Sequence, residues 1–238
     1  MTTWNEDLLH ALLSTRGEED LFKKITSIAQ GLGFTYCAYG MRTPLPLTQP
    51  KTVMFNNYPV AWQKLYQEKN YLAVDPTVQQ GMRSLLPTTW SDSTSASSPE
   101  FWEDAYSFGL RFGWAQASSS ADGTRGMLTL ARSDEPLSEA ELKDKGLKMM
   151  WLSQTAHQGM ASCLAGKLMP ETTQKLSERE VEVLRWTAEG KTSGEIAQIV
   201  GITERTVNFH INNAMIKLNA TNKTAAVVRA VVLGLLLM

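Results

Sequence analysis

Cysteine is scarce. The 238 residues hold two, Cys37 and Cys163, far apart and in no CxxC spacing. This excludes a disulfide-stapled scaffold and a thiolate metal cluster, and fits a reducing, cytoplasmic setting. Charge of one sign is also lacking: 23 Lys+Arg stand against 24 Asp+Glu, for a formal net charge of −1. Such a balance excludes coating of nucleic acid by bulk charge, although it leaves room for a basic patch. Long apolar runs are lacking too. The longest, 225–238, spans 14 residues and contains Arg229, short of the roughly 20 that cross a bilayer. It reads as a packed terminal helix, and no membrane partner is expected. The N-terminal residues show no basic stretch leading into an apolar one, so no signal peptide is expected.

What is present is ordinary globular material, 43% hydrophobic and 20% charged, enough for one or two domains. Residues 166–174 hold a Gly and a Pro between two helical patterns and read as a linker. Before it, helical and strand signals alternate. Leu8, Leu9, Leu12 and Leu13 suggest a first helix, and Leu21, Ile25, Ile28 and Ala29 a second that stops at Gly31-Leu-Gly33. Strands are predicted at 34–40, 52–55, 113–117 and 126–132. Helices are predicted from Pro59 to Lys69, after Asp75-Pro76, from Pro99 to Phe108, and from Pro136 to Leu164. A polar loop covers 91–99. Helices flanking a mostly antiparallel sheet make an α+β sandwich over 1–165.

After the linker, 175–238 is purely helical. Ser177 with Glu180 forms a capping box, Thr192 caps a helix to Val200, Thr203 caps one to Leu218, and a fourth begins near Asn222. Two short helices joined by a Gly-containing turn describe a helix-turn-helix. In the third helix, Val207, Ile211, Ala214 and Leu218 form a buried stripe. Arg205, Asn208, Asn212 and Lys217 lie off it, with Asn208 and Asn212 one turn apart. Asn can bond adenine N6 and N7 together, and Lys can meet phosphate. Lys191 and Thr192 open the preceding helix, where a phosphate is favoured. Spacing alone leaves open whether these residues touch DNA or form a solvated face.

In the first domain, Tyr58, Trp62 and Tyr66 recur at intervals of four, and Asp75 starts the next helix nearby, with Tyr71 and Trp90 in the same region. Indole N–H and phenol O–H donors, a carboxylate acceptor and aromatic walls suit a small ligand with an apolar body and an amide. Core packing, with Asp75 as a plain cap, is the alternative that spacing leaves open. A phosphoreceiver domain is excluded, because no apolar strand ends in Asp near 50–60. No GxSxG elbow occurs. His10, His157 and His210 are scattered, with no metal-like spacing around Asp75, so no enzyme, catalytic residue or metal site is expected.

The run Leu176-Ser-Glu-Arg-Glu180, Leu184 to Gly190, Lys191 to Ala197, Thr206 to Ile211, Lys217-Leu218 and Asn222-Lys223 resembles the LuxR-type DNA-binding domain. Asn57-Tyr58-Pro59, Trp62, Tyr66, Tyr71, Asp75 to Val78, Trp90, Phe101-Trp102, Ala105, Gly109-Leu110 and Gly126 resemble the autoinducer-binding domain of LuxR-type quorum-sensing receptors. Together the resemblance covers essentially the whole chain. It implies an N-terminal α/β/α sandwich and a C-terminal all-α four-helix domain. It further implies an N-acyl-homoserine lactone as ligand, with no cofactor. Trp62 would donate to the lactone carbonyl, Asp75 would accept from the amide, and Tyr58 would bond the acyl carbonyl, assisted by Thr129 where many relatives have Ser. Tyr66 and Trp90 would flank the ring. Ala38, Gly40, Met54, Val78, Leu110 and Met127 would line the acyl chain, and Thr77, Phe101, Trp102 and Ala105 would complete the pocket. Lys191, Thr192, Arg205, Thr206, Asn208, Asn212, Lys217, Asn222 and Lys223 would face double-stranded DNA. The expected protein is a homodimeric regulator on a palindromic promoter site, contacting RNA polymerase if it activates. A heterodimerising anti-activator and a receptor for a foreign signal are the other readings of the same resemblance.

Overall fold

The computed structural model describes residues 12, 14–91, 98–169 and 175–237. Most of the predicted first helix, residues 92–97 of the polar loop, and 170–174 of the predicted linker lie outside them; Leu12 is buried. Contacts divide the chain into two units. One comprises the described residues of 1–42, 52–119 and 125–164, and the other those of 43–51, 120–124 and 165–237.

The first unit is a sandwich around one antiparallel sheet. The chain runs through α1 (Glu18–Gly31), β1 (Tyr36–Arg42), β2 (Thr52–Asn56), α2 (Val60–Glu68), a 3-10 turn (Tyr71–Ala73) and α3 (Pro76–Arg83). It continues through β3 (Thr88–Trp90), α4 (Pro99–Ser107), β4 (Phe112–Ser119), β5 (Arg125–Arg132) and α5 (Glu139–Leu168). The strands lie in the order β2-β1-β5-β4-β3. Strand alternation gives the sheet two different faces. Cys37, Tyr39, Met41, Trp114, Leu128 and Leu130, all buried, share one face. α1 and α5 cover it: Tyr39 Oη meets His157 Nδ1 at 2.8 Å, and Ser153 Oγ donates to the Gln116 carbonyl at 3.3 Å. Gly126 is required here, since a Cβ would collide with His157 Nδ1.

The opposite face is built of small residues. Registration aligns Ala38, Thr129 and Ala115 in one row, Gly40, Met127 and Ala117 in the next, and Tyr36, Ala131 and Gly113 in a third. Above it lie α2, α3 and α4.

The second unit contains α6 (Glu178–Ala188), α7 (Ser193–Val200), α8 (Glu204–Lys217) and α9 (Lys223–Val232). Each is started by a side-chain cap, from Ser177, Thr192, Thr203 and Asn222. Such caps stabilise by about 1 kcal/mol each. Val183, Ile196, Ala197, Val207 and Ile211 form one buried cluster, and Leu184, Ala214, Leu218, Ala226 and Ala230 belong to another. Trp186 packs against the first of these, half-buried.

Beyond shifts of a residue or two at strand ends, three features differ from expectation. α5 continues to Leu168, so 166–168 are helix rather than linker; Gly166 within it costs about 1 kcal/mol against Ala but does not end it. The terminal helix stops at Val232, where Gly234 takes a φ of 71°, so the apolar run 225–238 is not helical to its end. β3 went unpredicted because three residues are too few for a period to show. No helix among the described residues is long and apolar enough to cross a membrane.

Candidate ligand site and nucleic-acid interface

The small-residue face is covered by a cluster of aromatic rings. Trp62 on α2 is 2% exposed. It meets Tyr66, Tyr71, Phe101 and Phe108 at centroid distances of 5.6, 5.8, 5.9 and 5.8 Å. Phe101 on α4 contacts Trp102 edge-on at 5.0 Å, and Trp102 lies 5.9 Å from Trp90. Ala105 and Leu110 are buried in the same cluster. Each such ring pair adds about 0.5–1.5 kcal/mol beyond area burial. Trp90 lies so close over Gly113 that a Cβ there would collide with its ring.

Asp75 sits at the edge of this cluster and does two things at once. Its Oδ1 accepts from the Thr77 N–H (2.8 Å), the Thr77 hydroxyl (2.7 Å) and the Val78 N–H (3.4 Å), which starts α3. Its Oδ2 accepts from Tyr66 Oη at 2.9 Å. Burial pushes its pKa up, and the bonds from Thr77, Tyr66 and Val78 oppose that rise without cancelling it. Tyr58 and Tyr66 are pushed up, both first by burial; Cys37 and then Asp75 add to the effect on Tyr58, and Asp75 adds to that on Tyr66. Both phenols therefore stay protonated and keep their donors.

Several polar groups here have no protein partner among the described residues. The Trp62 indole N–H, the Tyr58 hydroxyl and the Thr129 hydroxyl enter no hydrogen bond, and the Trp102 indole N–H is buried without one. Of these the Trp102 N–H is the one sealed from solvent, where polar groups are normally paired; the other three are accessible donors, open to a ligand with acceptors. The Trp90 indole, by contrast, donates to the Leu110 carbonyl at 3.3 Å. Of the predicted residues, Trp62, Trp90, Phe101, Trp102, Ala105 and Leu110 are buried in this cluster and Tyr58, Tyr66 and Met127 pack against it; Ala38, Gly40 and Thr129 lie on the sheet, Asp75 and Thr77 are buried at the start of α3 with Val78 half-buried, and Met54, registered with Gly40 on the edge strand, is 41% exposed. Tyr71, which the sequence placed in this region without a role of its own, is buried at the centre of the rings and donates to Asp104. Spacing did not single out Gly81 on α3, whose added Cβ would lie 3.1 Å from Met127 Sδ and 3.3 Å from Ala117. α3 rests directly on the sheet there.

In the second unit, α7 and α8 form the two-helix motif. Arg205, Asn208, Asn212, Asn222, Lys223 and Lys191 are exposed. Asn208 Oδ1 accepts from Ser193 Oγ at 2.8 Å, which ties this side chain to the start of α7. Thr192 is occupied by a full capping box: Glu195 Oε2 accepts from the Thr192 N–H and hydroxyl at 2.8 Å. A carboxylate therefore already stands at that helix start. Thr206 is half-buried, its hydroxyl 2.8 Å from that of Thr203. Lys217 does not reach outward. Its Nζ lies 2.8 Å from Oε2 of Glu180, a side chain 4% exposed. Burial pushes the Glu180 pKa up, but Lys217 and the Ser177 N–H outweigh it, and the net shift is downward.

Comparison with known proteins finds two family models. "Autoinducer binding domain" matches residues 17–160, and "Bacterial regulatory proteins, luxR family" matches 174–230. The transcriptional activator protein AnoR of Acinetobacter nosocomialis is 55% identical over 238 residues, 99% of this chain and 100% of that one. SolR of Ralstonia solanacearum, also named a transcriptional activator, is 45% identical over 97% of this chain and 98% of its own. The structure of SdiA in complex with octanoyl-rac-glycerol superposes with a TM-score of 0.82 at 35% identity, covering 98% of this chain and 96% of that one. SdiA is a regulatory protein of Escherichia coli.

Proposed function

The chain belongs to the LuxR-type quorum-sensing transcription regulators, and from that premise we propose that its autoinducer is an N-acyl-homoserine lactone whose binding controls a homodimer on a palindromic promoter site. Residues 1–168 bind the ligand and dimerise, 169–174 link, and 175–238 bind DNA in the cytoplasm. The protein is a regulator and not an enzyme.

The observation that carries the reading is the pairing of one buried acceptor with several unpartnered donors. Asp75 Oδ2, held by Tyr66, has a lone pair to take an amide N–H. The Trp62 indole and the Tyr58 and Thr129 hydroxyls can donate to the two carbonyls that flank that amide in an acyl-homoserine lactone. The small-residue rows of the sheet leave an apolar floor for the acyl chain. A lactone that binds the folded form and not the unfolded one stabilises it by mass action. The stabilised unit dimerises through α5 and brings two copies of α8 to successive major grooves. Lys191, Arg205, Asn212, Asn222 and Lys223 supply the polar and phosphate contacts. Where the site lies ahead of a polymerase, the same dimer contacts RNA polymerase and activates.

The test is expression of the full chain in the presence of lactones of graded acyl length, followed by mass spectrometry of the purified protein. A stoichiometric lactone that disappears in Asp75→Asn is expected. Purification of soluble, DNA-competent protein with no lactone from any member of the panel would refute the reading.

A further inference from the structure

Resting on the DNA-binding reading of α8, we infer that Phe209 is a base-reading residue and that its ring takes a thymine methyl group in the major groove. Val207, Ile211 and Ala214 of α8 are buried. Residues 205, 209, 212 and 216, spaced by four, three and four, fall on the opposite side. That outermost face carries Arg205, Phe209, Asn212 and Ile216. Phe209 is 60% exposed and Ile216 75%. Asn208, by contrast, lies at the side of the helix with its amide oxygen on Ser193.

An exposed phenylalanine flanked by Arg205 and Asn212 on this face has little to gain from water. The surrounding chemistry identifies what covers it. A recognition helix presents its N-terminal turns to base edges, and Phe209 sits in the second turn. Arg205 stands one turn before it and Asn212 nearly one turn after. Arg reads guanine O6 and N7, Asn reads adenine N6 and N7, and an apolar side chain meets the only apolar group on the major-groove edge, the thymine C5 methyl. The face thus reads a short sequence in which a thymine lies between the bases read by Arg205 and Asn212. Ile216 stands about 10 Å further along the axis, past the turns that enter the groove.

The experiment uses the full chain purified with its lactone, and the duplex it enriches from a randomised 20-base-pair pool. Each thymine is replaced in turn by deoxyuridine, which deletes only the methyl group, and affinity is read by fluorescence anisotropy at fixed salt. One thymine per half-site is expected to weaken binding about fourfold on replacement, the weight of one buried methyl. Phe209→Ala is expected to bind thymine and deoxyuridine duplexes equally, and Ile216→Ala to keep the fourfold difference. Phe209→Leu, which keeps apolar bulk, is expected to show a reduced difference, and it carries the comparison if Phe209→Ala melts early. The inference is overturned if no deoxyuridine position affects the native chain, or if the full penalty survives in both Phe209 variants. Failure of the DNA-binding reading looks different: the native chain would bind enriched and scrambled duplexes alike.

Discussion

Replacing Asp75 by Asn separates the two jobs of this carboxylate. Oδ1 caps α3 through Thr77 and Val78, and Oδ2 faces Tyr66 and the proposed amide. Asn is as good a cap as Asp, so the three bonds to Oδ1 survive. What changes is the other atom, from a charged acceptor to an N–H₂ donor. A charge-assisted bond contributes about 1.5–3 kcal/mol, so the lactone concentration for half-maximal response should rise roughly ten- to hundredfold. Stability should move the other way. An acid whose pKa is raised by burial holds its proton more tightly in the folded chain than in the unfolded one. Its charge therefore costs stability above its ordinary titration range, and the neutral Asn escapes that cost. Without ligand, the variant should melt at the same temperature as the native chain or above it. The assays are a reporter dose–response with a lactone series and a thermal melt of the purified protein. An unchanged dose–response would remove Asp75 from the ligand's partners. A large drop in melting temperature with the same dose–response would reduce it to a cap.

Gly113→Ala should force Trp90 out of its seat, costing about 1–3 kcal/mol by overpacking and lowering both yield and maximal lactone response; a native-like melt with full response would contradict the packing described. Lys217→Met should leave the Glu180 carboxylate buried without its cation and lower the melting temperature of the helical unit. If the melt is unchanged and the salt slope of DNA binding falls by about one, Lys217 is a phosphate contact instead. Glu141 is held at about 2 by Arg132 first, with Lys145 adding to it. Its contribution is therefore present above its ordinary value near 4.5 and is lost as pH falls toward 2, so Glu141→Gln should flatten the acid arm of the stability curve in that window. An acid arm identical to the native one would show the network contributes nothing.

The capping side chains were readable because each is local: Ser177 with Glu180, Thr192, Thr203, Asn222 and Asp75 all act within three residues of themselves. Trp62 and Tyr66 were readable together, since they share a helical spacing; Tyr58 continues that interval in sequence but precedes α2, which starts at Val60, and joins the rings by packing instead. Partnerships across elements were not. That Lys217 belongs to Glu180 requires α6 and α8 to be packed together, and that Asn208 leans on Ser193 requires α7 and α8 to be. Phe209 was visible in the helical arithmetic as the residue opposite the buried stripe, yet a search for polar base-readers passes over an aromatic ring. β3 offered too little chain to carry a period. Gly113 looks like any strand glycine until Trp90 lies on it.

The pocket-facing rows of the sheet hold Ala38, Gly40, Ala115, Ala117, Ala131 and Gly113 beside Tyr36, Met127 and Thr129. The first six are the smallest side chains available, so a substitution at any of them can only take room away. Drift at those positions would act as a ratchet toward shorter signals, one methyl at a time. A lineage that needed a longer signal would have to find its space at the larger floor residues, Met127 above all, or overhead in the helices. The history of signal choice in such chains should then be written unevenly, with six floor positions recording restrictions and the rest recording expansions as well.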